Sequence, residues 1–253
     1  MTTASAIPLT KTKPSTGVVR GLLRSVDLRG PAGKLETVLN EGAPDAPFAA
    51  LVCHPHPLGG GTMHNKVVYH AMKTLNDKVW GFGWPVLRFN YRGTGLSHGS
   101  HDGQAEADDV AAALCWLESE FKRPIVAVGF SFGAAMLLET CCNSPLRRAS
   151  ESVRALVALG LPLHAEGRDY SYPFLSACTL PKFFISGDKD QYAPAGQLAH
   201  LVAQLVAHPV ADLNDSVADP KRLRLISGAD HFFTGQLRHM QTALAGWLKE
   251  QLV

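Results

Sequence analysis

The sequence predicts a single α/β domain with a mostly parallel central sheet and helices on both faces. Beyond about residue 17, short β-rich runs alternate with segments of helical hydrophobic periodicity. This alternation is typical of a parallel sheet, because one parallel strand is reached from another through a crossover helix. The 253 residues, 46% hydrophobic and 18% charged, suit one such domain with a large core. Residues 17–253 are therefore assigned to that domain. Residues 1–16, which lack the apolar core of a signal peptide, are expected to form a flexible tail.

The predicted elements follow one another along the chain. Two N-terminal segments, residues 18–28 and 35–40, are expected to form a hairpin at one edge of the sheet. The continuously apolar run at residues 48–53 suits a strand buried on both faces. Further β-rich runs predict strands at residues 85–91, 125–128, 155–161, 182–186 and 222–227. Apolar residues spaced three and four apart predict helices at residues 68–75, 110–121, 134–142, 198–205 and 237–247.

Composition and charge exclude several classes of function. The formal net charge of +2 gives no electrostatic reason to expect a nucleic-acid partner or an acidic membrane. No window approaches the ~20 apolar residues of a membrane-spanning helix. Of the five cysteines, none of which has C-x-x-C spacing, Cys53, Cys115 and Cys141 lie in apolar runs, which predicts buried free thiols. An odd number of unpatterned thiols indicates a reducing compartment, so we expect a soluble, cytoplasmic protein.

The most informative motif is GFSFG, residues 129–133, which fits G-x-S-x-G between a predicted strand and a predicted helix. A serine at the apex of a sharp strand-to-helix turn has a strained backbone, so its neighbours two residues away must lack side chains. Gly129 and Gly133 meet that requirement. The N-terminus of the following helix also favours developing negative charge. Ser131 is therefore the candidate nucleophile.

A serine hydroxyl needs a general base, and the base needs an acid that orients it. His231 follows the last predicted strand and is the candidate base. Two candidate acids, Asp188 and Asp190, follow the strand before it. Asp230 is less suitable, because a residue adjacent to the histidine in sequence usually points its side chain elsewhere. All of these residues are expected beyond the carboxyl ends of strands, where open α/β sheets carry their active sites.

This arrangement resembles the α/β-hydrolase superfamily, in which serine, acid and histidine occur in the same chain order. The stretches RFNYRGTGLSHG, GFSFG, SGDKD and GADHFF are similar to those of small bacterial α/β-hydrolases that open with HPHP and a glycine-rich turn. The Gly-x-x-Asp spacing of the family implies that Asp190 is the acid. The resemblance implies an α/β-hydrolase fold and hydrolysis of carboxylic esters through an acyl-enzyme on Ser131, with no metal or organic cofactor. A thioesterase or a peptidase/amidase with the same triad stays open, as does a non-catalytic binding module on this scaffold.

The HPHP opening belongs to the stretch LVCHPHPLGGGTMHN, residues 51–65, which follows the first apolar strand. In the superfamily the loop at this place gives one N–H of the oxyanion hole, and the residue after the nucleophile, here Phe132, gives the other. The resemblance implies that His56 is the donor in the loop. Since prolines cannot donate, Leu58 and the glycines at 59–61 are the other candidates.

Other chemistries fit this part of the sequence less well. A zinc site could use His54, His56 and His64, but no carboxylate or cysteine follows at metal-ligand spacing, and H-E-x-x-H is absent. No window matches the phosphate-loop pattern G-x-x-x-x-G-K-[ST]. The stretch GTG at residues 93–95 begins like a dinucleotide fingerprint, but His98 occupies the third glycine position. We therefore expect no metal and no cofactor.

The segment at residues 162–181 bears on the size of the substrate. It joins two predicted strands with only about twenty residues, which can hold a short helix near residues 170–177 but not a lid domain. Without a large apolar cover, long acyl chains gain little binding energy at ~0.8 kcal/mol per buried CH₂. The expected partner is a small-molecule ester with an acyl chain of about two to six carbons. The expected oligomeric state is a monomer or a homodimer.

Overall fold

The structure, a computed structural model, describes residues 22–143, 151–165, 167–205 and 221–252. These residues form an eight-stranded sheet in the order β1-β4-β6-β5-β7-β8-β11-β12 and two small hairpins, β2–β3 and β9–β10. The strands are β1 (Leu23–Arg24), β2 (Leu28–Gly30), β3 (Gly33–Leu35), β4 (Thr37–Asn40), β5 (Ala49–Cys53), β6 (Val86–Phe89), β7 (Ile125–Phe130), β8 (Val153–Leu159), β9 (His164–Ala165), β10 (Arg168–Asp169), β11 (Lys182–Gly187) and β12 (Lys221–Ile226). The predicted tail at residues 1–16 lies outside the described residues, and the assignment of residues 17–253 to one domain stays a prediction.

The sheet is parallel from β6 to β12, whereas β1 and β4 continue it in antiparallel fashion at one edge. The predicted fold class is therefore confirmed. The six strands predicted after residue 40 are present, with ends that differ by at most two residues. The N-terminal hairpin is confirmed in part: β1 does pair with β4, but the hairpin β2–β3 lies between them in the chain. Residues 18–21 of that prediction lie outside the described residues.

Helices cover both faces of the sheet. They are α1 (Lys66–Asn76), α2 (Glu106–Phe121), α3 (Phe132–Cys142), α4 (Ala195–Gln204) and α5 (Leu237–Leu252). Alternate residues of a strand point to opposite faces, and β5 shows the result. Ala49 and Leu51 join the core under α2, α3 and α4, whereas Ala50 and Val52 join the core under α1 and α5. The rigid sheet between these two cores fixes the loops at its carboxyl edge.

The segment between β8 and β11 is short, as predicted. It contains the hairpin β9–β10 and a 3₁₀ helix at Pro173–Ala177. The helix expected near residues 170–177 is thus shorter than predicted, because Pro173, whose fixed φ suits a first helical position, begins it. The described residues of this segment form no lid domain.

The cysteines follow the predictions only in part. Cys53 and Cys141 are buried thiols, and burial raises the pKa of Cys53 to about 12. The prediction was wrong for Cys115, which is exposed on α2 because only its neighbours in the apolar run face the core. Cys142 and Cys178 form a disulfide that their spacing did not predict, so the expected reducing compartment stays a prediction. No helix in the described residues is both long and apolar enough to cross a membrane.

Candidate active site

The candidate nucleophile, Ser131, lies in a sharp turn between β7 and α3. Its backbone angles, φ 55° and ψ −122°, are rarely adopted by residues with a side chain. A Cβ at Gly129 would be 2.4 Å from the carbonyl oxygen of Gly133, and a Cβ at Gly133 would be 2.5 Å from that of His54. Both glycines of the motif are therefore needed for the close approach of backbone around the turn, which places Ser131 at the N-terminus of α3.

Ser131, His231 and Asp190 form a continuous chain of hydrogen bonds. His231 Nδ1 is 2.9 Å from Asp190 Oδ2, and His231 Nε2 is 2.9 Å from Ser131 Oγ. A carboxylate can only accept, so Nδ1–H donates to it, and Nε2 accepts the serine hydroxyl. All three residues are more than nine-tenths buried. This connectivity is that of a nucleophile, a base and an orienting acid.

Two glycines bring the imidazole into this position. A Cβ at Gly187 would be 2.0 Å from the carbonyl oxygen of Ala229, so only glycine lets the loops after β11 and β12 meet. Gly160 follows β8, and a Cβ there would be 3.1 Å from Cε1 of His231. Its φ of 52° also favours glycine. Gly187 is the glycine of the Gly-x-x-Asp spacing, whereas Gly160 was not singled out in the sequence, because an isolated glycine after a strand carries no motif.

Three donors hold the carboxylate of Asp190. Besides His231, Ser186 Oγ donates to Oδ2 at 3.0 Å and the N–H of Tyr192 donates to Oδ1 at 2.9 Å. Ser186 is completely buried in β11. Sequence reasoning assigned no role to this residue, although it is the first residue of the stretch SGDKD. The signal that could have indicated it was its place one residue before Gly187.

The other two aspartates of these loops have different partners. Asp188 is exposed and accepts the N–H of Gly228 at 2.7 Å. Asp230 accepts the N–H groups of Thr234 and Phe232 at 2.8 and 3.1 Å. These hydrogen bonds, the one from Thr234 foremost, lower the pKa of Asp230. Both carboxylates brace the loops around the site and do not orient the imidazole.

His54, the first histidine of the HPHP turn, ties the turn to the sheet. It is completely buried, with Nδ1 2.7 Å from the carbonyl oxygen of Pro55, and Nε2 accepts the N–H of Tyr91 at 3.0 Å. Burial lowers its pKa to about 3, so the ring is neutral with its proton on Nδ1. Both ring nitrogens are occupied, which leaves neither for a metal ion. Within the described part of the chain, no three side chains are grouped as metal ligands.

Most backbone N–H groups of the turn are used within the turn itself. The N–H of Leu58 donates to Nδ1 of His56 at 3.2 Å. The glycines at 59–61 donate to the carbonyl oxygens of His56 and Pro57 at 2.9–3.1 Å. These contacts count against Leu58 and the glycines as oxyanion donors. The N–H groups of Phe132, at the start of α3, and of His56 stay the predicted donors.

A second histidine–carboxylate pair lies beside the two candidate donors. The ring of His101 has its centroid 4.6 Å from that of His56 and 5.5 Å from that of Phe132. Nδ1 of His101 is 2.7 Å from the carboxylate of Glu106, although the two groups are not aligned for a hydrogen bond. Glu106 is completely buried and accepts the N–H of Gly103 at 3.0 Å. Sequence reasoning missed the pair, because neither residue follows a strand directly.

A cavity of about 100 Å³ opens at Ser131 and His231. The HPHP turn, the glycines and Asn65 form part of its wall. Rings and small side chains complete it, from the segment after β8 and from the loops of the acid and the base: Ala165, Tyr170, Tyr192 and Phe232. No aspartate, glutamate, lysine or arginine of the described residues lines this cavity. Such a lining suits a small, uncharged substrate.

The chain is similar to known proteins over most of its length. The sequence pattern of the alpha/beta hydrolase family matches residues 50–253. An uncharacterized protein of Rickettsia prowazekii is 34% identical over 223 residues, which cover 87% of this chain and 86% of that protein. XC6422 of Xanthomonas campestris, described as an a/b serine hydrolase without lid, is 27% identical with a TM-score of 0.70, over 96% of this chain and 97% of that one. A structure from Coxiella burnetii, described as an alpha-beta serine hydrolase homologue, is 30% identical with a TM-score of 0.72, over 92% and 100% of the two chains.

Proposed function

Because the chain belongs to the alpha/beta hydrolase family, we propose that it is a serine hydrolase that cleaves carboxylic esters with short acyl chains. The observation that carries this proposal is the pair of 2.9 Å contacts that link Ser131 through His231 to Asp190. These contacts lie at the mouth of a cavity that suits a small, uncharged substrate. The proposed chemistry needs no metal and no organic cofactor.

In the first half of the reaction, Ser131 Oγ attacks the carbonyl carbon of the ester while its proton passes to Nε2 of His231. The carbonyl π electrons move to oxygen and form a tetrahedral oxyanion. When this intermediate collapses, the bond to the alcohol oxygen breaks, and that oxygen takes the proton from Nε2. The alcohol leaves, and the acyl group stays bound to Ser131. Asp190 orients the imidazole throughout and stabilises its protonated form.

In the second half, water takes the place of the alcohol. Nε2 of His231 accepts a proton from water, whose oxygen attacks the acyl carbon. Collapse of the second oxyanion breaks the bond to Ser131 Oγ, which regains the proton from Nε2. The carboxylic acid is released, and the enzyme returns to its starting state. Atoms and protons balance with the ester and water as the only reactants.

The two oxyanions are proposed to bind the backbone N–H groups of Phe132 and His56. Such donors are effective because they are held in place before the charge develops, so no reorganisation accompanies the reaction. The bonds from His54 to Pro55 and Tyr91 hold the turn in this way. The contacts among the rings of His56, His101 and Phe132 support the same arrangement.

The preference for short acyl chains follows from the size of the cavity. Each CH₂ that leaves water contributes ~0.8 kcal/mol of binding free energy, but only if an apolar wall is there to receive it. A cavity of about 100 Å³ receives few such groups. We therefore propose acyl chains of about two to six carbons, hydrolysed without activation at an interface.

Thioesters and amides could be cleaved by the same three residues, so the ester assignment needs a direct comparison. A non-catalytic binding module would not need the buried contacts of Ser131, His231 and Asp190, which counts against that alternative. We further propose a cytoplasmic monomer or homodimer with a small-molecule substrate and without a nucleic-acid or membrane partner. Size-exclusion chromatography tests the oligomeric state.

A fluorophosphonate probe and a panel of substrates test the proposal together. The wild-type protein should be labelled, and Ser131→Ala should not. Among p-nitrophenyl esters from acetate to dodecanoate, matched thioesters and aminoacyl amides, kcat/KM should be highest for the short esters. Absence of labelling would favour the binding module. Labelling with a higher kcat/KM for thioesters or amides would replace the ester assignment, and a kcat/KM that rises up to dodecanoate would contradict the short-chain preference.

A further inference from the structure

One aromatic residue of the cavity wall, Tyr170, belongs to the short segment between β8 and β11. Its backbone is anchored directly, because its N–H donates to the carbonyl oxygen of Leu163 at 2.9 Å. Leu163 and His164 in turn donate their N–H groups to the carbonyl oxygen of Tyr192 at 2.8 and 3.0 Å. Since the N–H of Tyr192 holds Asp190, the backbone of Tyr170 has a defined position relative to the triad.

The ring of Tyr170 is braced by two neighbours. Cζ of Arg168 lies 4.8 Å from the ring centroid, in cation–π contact. The same guanidinium donates to the carbonyl oxygen of Gly103 at 2.7 Å, so Arg168 is itself fixed. The ring of Tyr172 stacks on that of Tyr170 with an interplanar angle of 15°, and its hydroxyl donates to the carbonyl oxygen of Pro162 at 2.6 Å. Tyr170 is thus a rigid part of the wall.

The neighbours of His231 indicate where the alcohol part of the substrate lies. In the proposed mechanism His231 gives its proton to the leaving alcohol, so this group must be beside the imidazole. The rings of Tyr192 and Phe232 pack against that imidazole, with centroids 4.6 and 5.2 Å from it. These two residues therefore form the alcohol side of the cavity.

The backbone of Tyr170 is tied through Leu163 to Tyr192, on the alcohol side. The ring of Tyr170, in contrast, is connected to the other side. Arg168 joins it to Gly103, which lies in the loop of His101. The ring of His101 packs on His56 and Phe132, the two proposed oxyanion donors. The ring of Tyr170 is thus braced from the loop that packs on the oxyanion turn, on the side where the acyl chain leaves the carbonyl carbon in the proposed mechanism.

We propose that Tyr170 is the residue that limits the length of the acyl chain. The inference rests on the proposed ester hydrolysis and adds to it a physical limit: a braced ring that an acyl chain cannot push aside. A flexible side chain at this place would move and allow longer chains to be buried. A ring held by Arg168 and Tyr172 stays, and the chain beyond it must remain in water.

Tyr170→Ala tests the proposal with a series of p-nitrophenyl esters from acetate to decanoate, each below its micelle concentration. Each CH₂ that becomes buried raises kcat/KM about fourfold, so two of them raise it by more than about tenfold. The ratio of kcat/KM for octanoate to that for butanoate should therefore rise at least about tenfold in Tyr170→Ala. Tyr170→Phe keeps the ring and should leave the ratio within about twofold of the wild-type value.

Matched variants exclude a general effect of removing a tyrosine. Tyr69 is a half-exposed tyrosine of α1 that does not line the cavity, so Tyr69→Ala should not change the ratio. Tyr170→Leu, which fills part of the space, should shift the ratio in the same direction as Tyr170→Ala but less. It also provides the test if Tyr170→Ala does not fold, as judged by circular dichroism and fluorophosphonate labelling.

Three results would overturn the inference. An unchanged ratio in both Tyr170→Ala and Tyr170→Leu, with normal hydrolysis of butanoate, refutes the role of Tyr170 but leaves the proposed function in place. A change seen only among butanoates of different alcohols would place Tyr170 on the alcohol side. If the wild-type protein is neither labelled nor active on any ester, the proposed function fails, and the inference fails too because it rests on that function.

Discussion

The substitution Ser186→Ala distinguishes an effect on the free energy of unfolding from an effect on catalysis. Ser186 is completely buried in β11, and its hydroxyl donates to Oδ2 of Asp190 at 3.0 Å. The same oxygen accepts Nδ1–H of His231 at 2.9 Å. Alanine removes the hydroxyl, keeps Cβ and adds no atom to a packed region. The N–H of Tyr192 still donates to Oδ1, so the carboxylate loses one donor and keeps two.

The effect of Ser186→Ala on kcat/KM depends on whether the hydrogen bond to Asp190 is present in both the free enzyme and the transition state. A hydrogen bond to a charged group contributes about 1.5–3 kcal/mol of net stability. In the proposed mechanism Asp190 is charged in the free enzyme and in the transition state, so this bond is present in both. It therefore largely cancels from the activation free energy. We expect Ser186→Ala to lower the free energy of unfolding by about 1.5–3 kcal/mol and kcat/KM by at most about tenfold.

Urea unfolding measures the free energy of unfolding, and hydrolysis of p-nitrophenyl butanoate measures kcat/KM on the same preparation. Thr74→Val is a matched control, because Thr74 is completely buried in α1 and donates its hydroxyl to an uncharged acceptor, the carbonyl oxygen of His70 at 2.9 Å. It should lose about 0.5–1.5 kcal/mol of stability and no activity. A loss of more than about 100-fold in kcat/KM for Ser186→Ala, with unchanged stability, would refute the reasoning, because the bond would then form mainly in the transition state.

The remaining predictions concern the triad, the oxyanion turn and pH. Ser131→Ala and Asp190→Asn should each lower kcat by about 10⁴-fold or more, and the double variant should lose little beyond that, as steady-state hydrolysis of a butanoate ester will show. His56→Pro deletes an N–H and should lower kcat by about 10²–10³-fold, whereas His56→Ala keeps the N–H and should lower it by less than about tenfold, with folding of both verified by circular dichroism. Because burial lowers the pKa of His54 to about 3 in the folded protein, the unfolded chain binds more protons between that value and about 6.5. Stability should therefore fall as the pH decreases across this interval, and His54→Asn should flatten the slope in urea titrations at several pH values.

The parts of the site that could be predicted are those whose signals are local in sequence. A serine at a strained turn requires glycines two residues away, and those glycines are visible as Gly129 and Gly133. The candidate acid and base each follow a predicted strand, and the parallel sheet brings the carboxyl ends of its strands to one edge. For that reason the structure brings together Ser131, Asp190 and His231, although 100 residues separate the serine from the histidine.

The parts that could not be predicted depend on contacts through space. Ser186 touches Asp190 only because of the way the loop after β11 folds back, which no spacing rule describes. His101 lies in a loop and Glu106 at the start of α2, and the tertiary fold sets the packing of the His101 ring against His56. Cys142 pairs with a cysteine 36 residues away across α3 and the segment after β8. In each case the residue type alone allows many environments, and only the fold selects one.

The two histidines of the HPHP turn illustrate the same distinction within three residues. The residue types alone present His54 and His56 as equivalent, and a metal site would have used both side chains. The resemblance to the hydrolases implies a role only for the backbone of His56. In the structure the ring of His54 is hydrogen-bonded to the backbone of Pro55 and Tyr91, and burial keeps the ring neutral. The backbone of His56 is the part that the proposed mechanism uses. A neutral ring suits this buried position, because a charged imidazole would lose its hydration there and destabilise the turn. In the proposed mechanism the turn assists an oxyanion through the placement of the N–H of His56, and the prolines on both sides of His56 restrict the backbone that holds this N–H.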